Sequence, residues 1–262
     1  MNEEGKMLIQ ATEAIISNVK KQTDMIFPKL ERMQEIYLAK NESLYSAKQL
    51  ESIKRSFQSA LMKFLLTDIH LEQVWSLSMV SRSTLFQTIV DSSNKIEWTE
   101  NQKICGYLYL ESFLFEARSF IDVLLRYFCL VLGKEVPGPI RLEKFYGYMN
   151  RVNPPFKNKS IKLTDYVKRV FSGDQWGAIL RSLRDKIAHQ EPLIPSYEGI
   201  EKISDVLLDW PTIRGKTFDR FCQKMENGLF DMVTELFPIL FDLEWKSGPF
   251  RQTSGNEFKR IN

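Results

Sequence analysis

The chain has 262 residues, of which 44% are hydrophobic and 26% charged, and its formal net charge at pH 7 is +3. This is ordinary globular composition, long enough for one large helical domain or two small ones. The small positive charge is compatible with local basic patches but does not by itself indicate nucleic-acid binding.

Neither a signal peptide nor a membrane span is expected. The N-terminal residues 1–6 are polar and acidic, and no apolar segment of a signal peptide follows them. A membrane-spanning helix needs roughly 20 mostly apolar residues. The longest apolar stretch, near residues 107–132, is interrupted by five charged side chains. We therefore expect a cytoplasmic protein without a membrane segment.

The cysteines and histidines are few. Cys105, Cys129 and Cys222 have no C-x-x-C spacing, so free thiols in a reducing compartment are favoured over disulfides. With only His70 and His189 and no Glu-x-x-His pair, no metal and no other cofactor is predicted.

Apolar residues spaced three and four apart predict helices along the chain. In chain order the predicted helices cover residues 6–40, 46–66, 71–90, 99–132, 140–150, 162–170, a helix that begins after Ser172, 197–209 and 213–244. Residues 6–40 form one helix, or two if Pro28 restarts the pattern, and 213–244 has at most a kink at Pro238. Ser172 and Gln175 are predicted to form the capping box of the helix that carries Arg184. No strand-length alternation is found between turn signals. The prediction is an all-α helical bundle, with 99–132 as its central helix.

The domain organisation follows from the loop at 91–95. Residues 1–95 are predicted to form additional N-terminal helices, 96–250 the main helical bundle, and 251–262 a polar C-terminal tail.

The segment Arg181–His189 combines basic residues, an acid and one of the two histidines. Arginine binds phosphate through a rigid fork of donors, and histidine transfers protons near neutral pH. At about 100° per helical residue, Arg184 and His189 are offset by roughly 140°. Asp185 and His189 are instead true i,i+4 partners, and so are Arg181 and Asp185. Asp185 is thus predicted either to orient His189 or to pair with Arg181.

These residues suit metal-free cleavage of a phosphodiester. RNA cleavage without metal needs a base for the 2′-hydroxyl, an acid for the 5′-oxygen and cations for the phosphorane. One helix supplies a single histidine, whereas two copies facing across a two-fold axis supply two. If this chain cleaves RNA in this way, we therefore predict that it forms a homodimer.

The run Arg184-Asp185-Lys186-Ile187-Ala188-His189 resembles the R-x4-6-H motif of the HEPN superfamily, in which Asn, Asp or His commonly follows the arginine. The resemblance covers about residues 99–245. It implies an all-α bundle, dimerisation across the motif helices and, as in many members, metal-independent endoribonuclease activity. It also implies that Arg184 and His189 are the catalytic pair and that Asp185 orients them. Arg181 and Lys186 are expected to bind substrate phosphate.

Other interpretations remain open. The same residues also fit a solvated charge cluster at a helix end, and the whole chain fits a catalytically inactive interaction module of a toxin–antitoxin or defence system, with an antitoxin protein as partner. His70 is expected to be a cap or packing residue. Ion pairs are expected for Glu116 and Asp122, although both could face a dimer cleft. An aromatic series is expected to belong to the core: Tyr107, Tyr109, Phe113, Phe115 and Phe120. A basic run before the motif helix could either contact RNA phosphates or form a solvated face: Lys157, Lys159, Lys162, Lys168 and Arg169.

Overall fold

The structure is a computed structural model, and it describes residues 3–90, 95–96, 100–188, 196–203, 206–213, 216–242, 250–253 and 257–260. Most of these residues are helical, which confirms the predicted helical class. The helices are α1 (Glu3–Lys40), α2 (Ala47–Val90), α3 (Glu100–Val131), α4 (Leu142–Asn150), α5 (Lys157–Val170), α6 (Trp176–Ala188) and α7 (Phe218–Phe241), with one turn of 3₁₀ helix at Glu42–Leu44.

The first two helices differ from the prediction in different ways. α1 continues through Pro28, so the alternative of a single helix over 6–40 is the correct one. The predicted break between 66 and 71 is wrong, because α2 continues through it. Thr67 is buried there and its hydroxyl donates a hydrogen bond to the Lys63 carbonyl, at 2.7 Å. This bond satisfies the polar side chain inside the helix.

The helix predicted over 197–209 is also wrong, because the described residues of this range lie in strands. Strands β2 (Ser196–Ile203) and β3 (Val206–Ile213) pair antiparallel, and β1 (Lys95–Ile96) adds to β3 in parallel. A short strand β4 (Lys216–Thr217) also pairs with β3. The residues predicted as a polar tail include most of a second hairpin, β5 (Phe250–Thr253) with β6 (Glu257–Arg260).

The chain divides into two compact units. The first consists of Met1–Lys20, Met62–Ile121 and Val170–Gly228; the second consists of Lys21–Leu61, Asp122–Arg169 and Leu229–Asn262.

The second unit is built around an aromatic cluster. Phe57, Tyr127 and Phe237 are almost fully buried, and their ring centroids lie 5.3–5.9 Å apart. Phe237 also contacts Phe241, whose ring lies 5.3 Å from that of Tyr37. Burial of such rings is a main source of folding free energy.

The first unit holds α6, the helix that carries the Arg184 motif. Its core includes the ring pairs Phe64–Phe120 and Phe113–Phe221. Trp176, the first residue of α6, packs against Gly228 of α7. The capping box predicted at Ser172 is wrong, since α6 begins four residues later. The start of α6 is thus set by the packing of its first residue.

Candidate functional site on helix α6

Helix α6 has one buried face and one polar face. The buried side chains, spaced three and four apart, are Trp176, Ile179, Leu180, Leu183 and Ile187. Because these positions recur with the helical period, they fix the rotation of α6 in its unit. The polar residues of the motif consequently lie at the edge of that packed face.

Arg184 is the most enclosed cation of the motif, with 31% of its side chain exposed. Its Nη1 donates to Oδ1 of the neighbouring Asp185 at 3.3 Å, and its guanidinium carbon lies 5.9 Å from the ring centroid of Phe115 on α3. Its Nε is buried and has no hydrogen-bond partner among the described residues. Among the described residues, Arg184 therefore keeps donor capacity that no partner uses.

Asp185 contacts both arginines of the motif. Its Oδ2 lies 3.9 Å from Nε of Arg181, and its Oδ1 is the acceptor for Arg184. About half of the Asp185 and Arg181 side chains is exposed, so these ion pairs add little stability. The predicted i,i+4 pair of Arg181 and Asp185 is present, at the outer limit of an ion pair. The predicted pair of Asp185 with His189 is not tested, because His189 lies outside the described residues.

The last two turns of α6 concentrate positive charge. Arg181 and Lys186 are exposed and Arg184 is half-buried, with Asp185 as the acidic residue among them. The carbonyl end of a helix carries partial negative charge and favours cations. These cations are therefore stabilised at the point where the chain leads into His189.

Phe115 is the neighbour of Arg184 that the sequence interpretation missed. The sequence predicts that the aromatic series belongs to the core. Phe113 and Phe120 are buried as predicted, but 41% of Phe115 is exposed. Ile104 and Leu108 on the same helix are also more than half exposed. At about 100° per residue, these three positions lie within an arc of about 40°. We call Ile104, Leu108 and Phe115 the α3 stripe.

Glu116 and His70 have partners outside α6. Glu116 forms an ion pair with Lys63 of α2, at 2.8 Å, instead of a pair within its own helix. His70 lies in the interior of α2, so it does not cap a helix, and its Nδ1 atom lies 2.9 Å from Oε1 of Gln73, three residues on. Among the described residues, no three His, Cys, Asp or Glu side chains are grouped so that they could hold a metal ion.

Searches against family models, curated proteins and solved structures produced no match to this chain. In the described part of the chain, no helix combines the length and apolar character needed to cross a membrane. The HEPN resemblance accordingly depends on the motif residues themselves and on the helical class of the fold.

Proposed function

We propose that this chain is a metal-independent endoribonuclease of the HEPN type, acting as a homodimer. The observation that carries the proposal is the state of Arg184. Its guanidinium is half-buried and is held by Asp185 and Phe115, while 31% of the Arg184 side chain is exposed and can contact a ligand. An oriented arginine with unused donors is suited to bind a phosphate.

The roles follow from the chemistry of the residues. A neutral His189 takes the proton from the RNA 2′-hydroxyl, whose oxygen then attacks the adjacent phosphorus. A protonated His189 from the second copy gives its proton to the departing 5′-oxygen as the P–O bond breaks. The products are a 2′,3′-cyclic phosphate and a 5′-hydroxyl, and the two histidines have exchanged protonation states.

The cations stabilise the transition state. Arg184 binds the non-bridging oxygens of the phosphorane, where negative charge develops, and Asp185 holds the guanidinium in place. Arg181 and Lys186 are exposed and bind flanking phosphates.

The α3 stripe supports dimerisation next to this site. Exposed apolar side chains that lie on one face of a helix are covered by a partner more often than isolated ones. Phe115 belongs to the stripe and also contacts Arg184, so a second copy on the stripe would lie beside the motif. This requirement for a second copy matches the need for a second histidine.

The cleavage test uses single-stranded RNA in excess EDTA. We expect the wild type to cut it and leave 2′,3′-cyclic phosphate ends. His189→Ala should lose about 10²–10⁴-fold in rate, the usual contribution of a general acid–base group. Arg184→Lys should also be strongly impaired, because lysine keeps the charge but not the fork. His70→Ala is the matched control and should cut normally. Absence of cleavage by the wild type, or normal cleavage by His189→Ala, overturns the proposal.

The dimer test compares two exposed apolar positions of the same unit. Leu108 lies in the α3 stripe and Met62 does not, although both are slightly more than half exposed. We expect Leu108→Glu to be monomeric in light scattering and inactive, and Met62→Glu to stay dimeric and active. A monomeric wild type argues against the two-histidine mechanism.

The alternative is an inactive helical interaction module that pairs through the α3 stripe with another protein, such as an antitoxin. The exposed stripe is the observation that favours it. A dimer or a complex that depends on Leu108, together with no cleavage of any RNA, would support this alternative.

A further inference from the structure

Helices α4 and α5 and the residues that flank them concentrate the positive charge of the chain. Residues 141–169 contain eight Lys and Arg and only two acids, Glu143 and Asp165. This segment therefore has a formal charge of +6, whereas the whole chain has +3. The rest of the chain is net acidic, so the charge is segregated and not spread evenly.

Two side-chain contacts show how α4 and α5 lie together in the second unit. Nζ of Lys157, at the start of α5, donates to the Asn150 carbonyl at the end of α4, at 3.0 Å. Nζ of Lys168, near the end of α5, lies 5.9 Å from the ring centroid of Tyr146 in α4. The two helices are thus antiparallel neighbours, and both lysines lie along their seam.

Further cations flank this seam on each side. Lys144 is exposed on α4, and Arg151 is exposed at the residue that directly follows the helix. Lys162 and Arg169 are likewise exposed and one heptad apart on α5, and Arg169 also pairs with Glu235 at 3.1 Å. We call these four residues with Lys157 and Lys168 the α4–α5 basic surface.

Lys159 is the exception within α5. Its Nζ donates to the Leu240 carbonyl, at 2.9 Å, and pairs with Asp242, at 2.7 Å, so it serves the fold of its unit. The other lysines of the helix make no ion pair in the described structure and can bind an external anion without losing one.

Partly exposed aromatic rings lie among these cations. Tyr146 and Tyr148 are half-buried on α4. Tyr166 of α5 is buried, with its ring centroid 4.9 Å from the Arg169 guanidinium carbon, so it supports that cation and is not a stacking surface. Basic residues interleaved with aromatic rings are typical of surfaces that bind single-stranded nucleic acid, where phosphates contact the cations and bases stack.

We propose that the α4–α5 basic surface binds single-stranded RNA through its phosphates. The proposal rests on the proposed ribonuclease function, since it assigns the surface that retains the substrate. The contacts are electrostatic and independent of base sequence, so affinity falls as salt rises.

The test measures binding by fluorescence anisotropy with a labelled 12-nucleotide single-stranded RNA, in the His189→Ala background so that no cleavage intervenes. The surface variant combines Lys144→Gln, Lys162→Gln and Lys168→Gln. The control combines Lys29→Gln, Lys48→Gln and Lys54→Gln, which remove the same charge from exposed positions of α1 and α2 in the same unit.

We expect the surface variant to lose about tenfold or more in affinity at 0.1 M salt, and the slope of log K against log salt to fall by about 2, as three lost phosphate contacts require for a single strand. The control should stay within about twofold of the parent, and circular dichroism should show that both variants are folded. Equal losses in the two variants, or none in either, overturn the proposal.

Two further outcomes separate this proposal from the cleavage mechanism. If RNA binding depends on the α4–α5 basic surface but the protein cuts no RNA, the nuclease proposal is refuted and the RNA-binding proposal is supported. Surface-dependent binding to vesicles of phosphatidylcholine with 30% phosphatidylserine, without binding to RNA, would overturn the RNA assignment in favour of an anionic membrane.

Discussion

The indole ring of Trp176 fills the space that a side chain at Gly228 would occupy. Trp176 is the first residue of α6, and Gly228 lies inside α7. A glycine within a helix costs about 1 kcal/mol relative to alanine. Here that cost is offset because the missing Cβ lets the large ring approach the α7 backbone, which fixes the start of the motif helix.

Gly228→Ala should therefore destabilise the protein, although alanine is the better helix former. Its Cβ would overlap three ring carbons of Trp176, and overpacking of this kind costs about 1–3 kcal/mol. Gly147→Ala on α4 is the control, because no atom lies within 4 Å of its added Cβ; it should be neutral or stabilising by up to about 1 kcal/mol. Urea unfolding of both variants gives the two free energies. Equal stability of the variants would show that the ring has room to move.

The hydroxyl groups of two buried tyrosines should contribute differently to the free energy of unfolding. The Tyr45 hydroxyl donates to the Val131 carbonyl at 2.6 Å, whereas the Tyr127 hydroxyl, near the Gln34 amide, makes no geometrically sound hydrogen bond among the described residues. We expect Tyr45→Phe to lower the free energy of unfolding by about 1–2 kcal/mol and Tyr127→Phe to leave it within about 0.5 kcal/mol. Thermal unfolding of the pair measures this, and a larger loss for Tyr127→Phe would contradict the assignment.

Lys159 should be more important for stability than its neighbours in α5. Its ammonium caps the last turn of α7 through the Leu240 carbonyl and Asp242, and lies 4.5 Å from the Tyr37 ring centroid. Lys159→Met keeps the length of the side chain and removes the donors. We expect a loss of about 1–2 kcal/mol, since the bond to Leu240 is enclosed while Asp242 is largely exposed. Lys162→Met, on the exposed side, should change stability by less than about 0.5 kcal/mol.

The cysteines should react according to their burial. Cys105 is partly exposed, whereas Cys129 and Cys222 are buried. Burial also raises the pKa of the Cys129 thiol to about 12, so almost none of it is thiolate at pH 8. Iodoacetamide at pH 8 should label Cys105 in the folded protein and all three cysteines after denaturation, as read by mass spectrometry. Labelling of Cys129 as fast as Cys105 would contradict the packing described.

The same thiol predicts a pH dependence of stability. The folded pKa of Cys129 is raised above its ordinary value of 9.0, so the unfolded chain loses this proton first as pH rises. The contribution of the Cys129 thiol to the free energy of unfolding is complete below pH 9 and declines by about 1 kcal/mol per pH unit between pH 9 and pH 12. The difference in unfolding free energy between wild type and Cys129→Ala should therefore shrink from pH 8 to pH 10.5. A constant difference would show that Cys129 ionises equally in both states.

Local signals predicted the central helix better than the other elements. The interpretation placed it at 99–132, and α3 covers Glu100–Val131 because Gly133, with φ of 74°, ends it. The false break in α2 has a different cause. Thr67 and Asp68 look like a polar interruption, but both are buried in the folded unit, which the sequence spacing does not show.

The strands at 196–213 were missed because part of their pairing is non-local. β3 pairs with β1, about 110 residues earlier in the chain, and no local pattern encodes that partner. At the site, the contact of Asp185 with Arg181 was predictable from helical spacing. The contact of Arg184 with Phe115 was not, because it joins two helices that are distant in sequence.

The contact of Arg184 with Phe115 predicts how these two positions vary among related chains. A flat guanidinium stacks on a ring, and the ammonium of lysine does so less well. An aromatic residue at 115 and an arginine at 184 should thus be inherited together. Chains that have lost one of them are expected to have lost the other, and an alignment of related chains would test this.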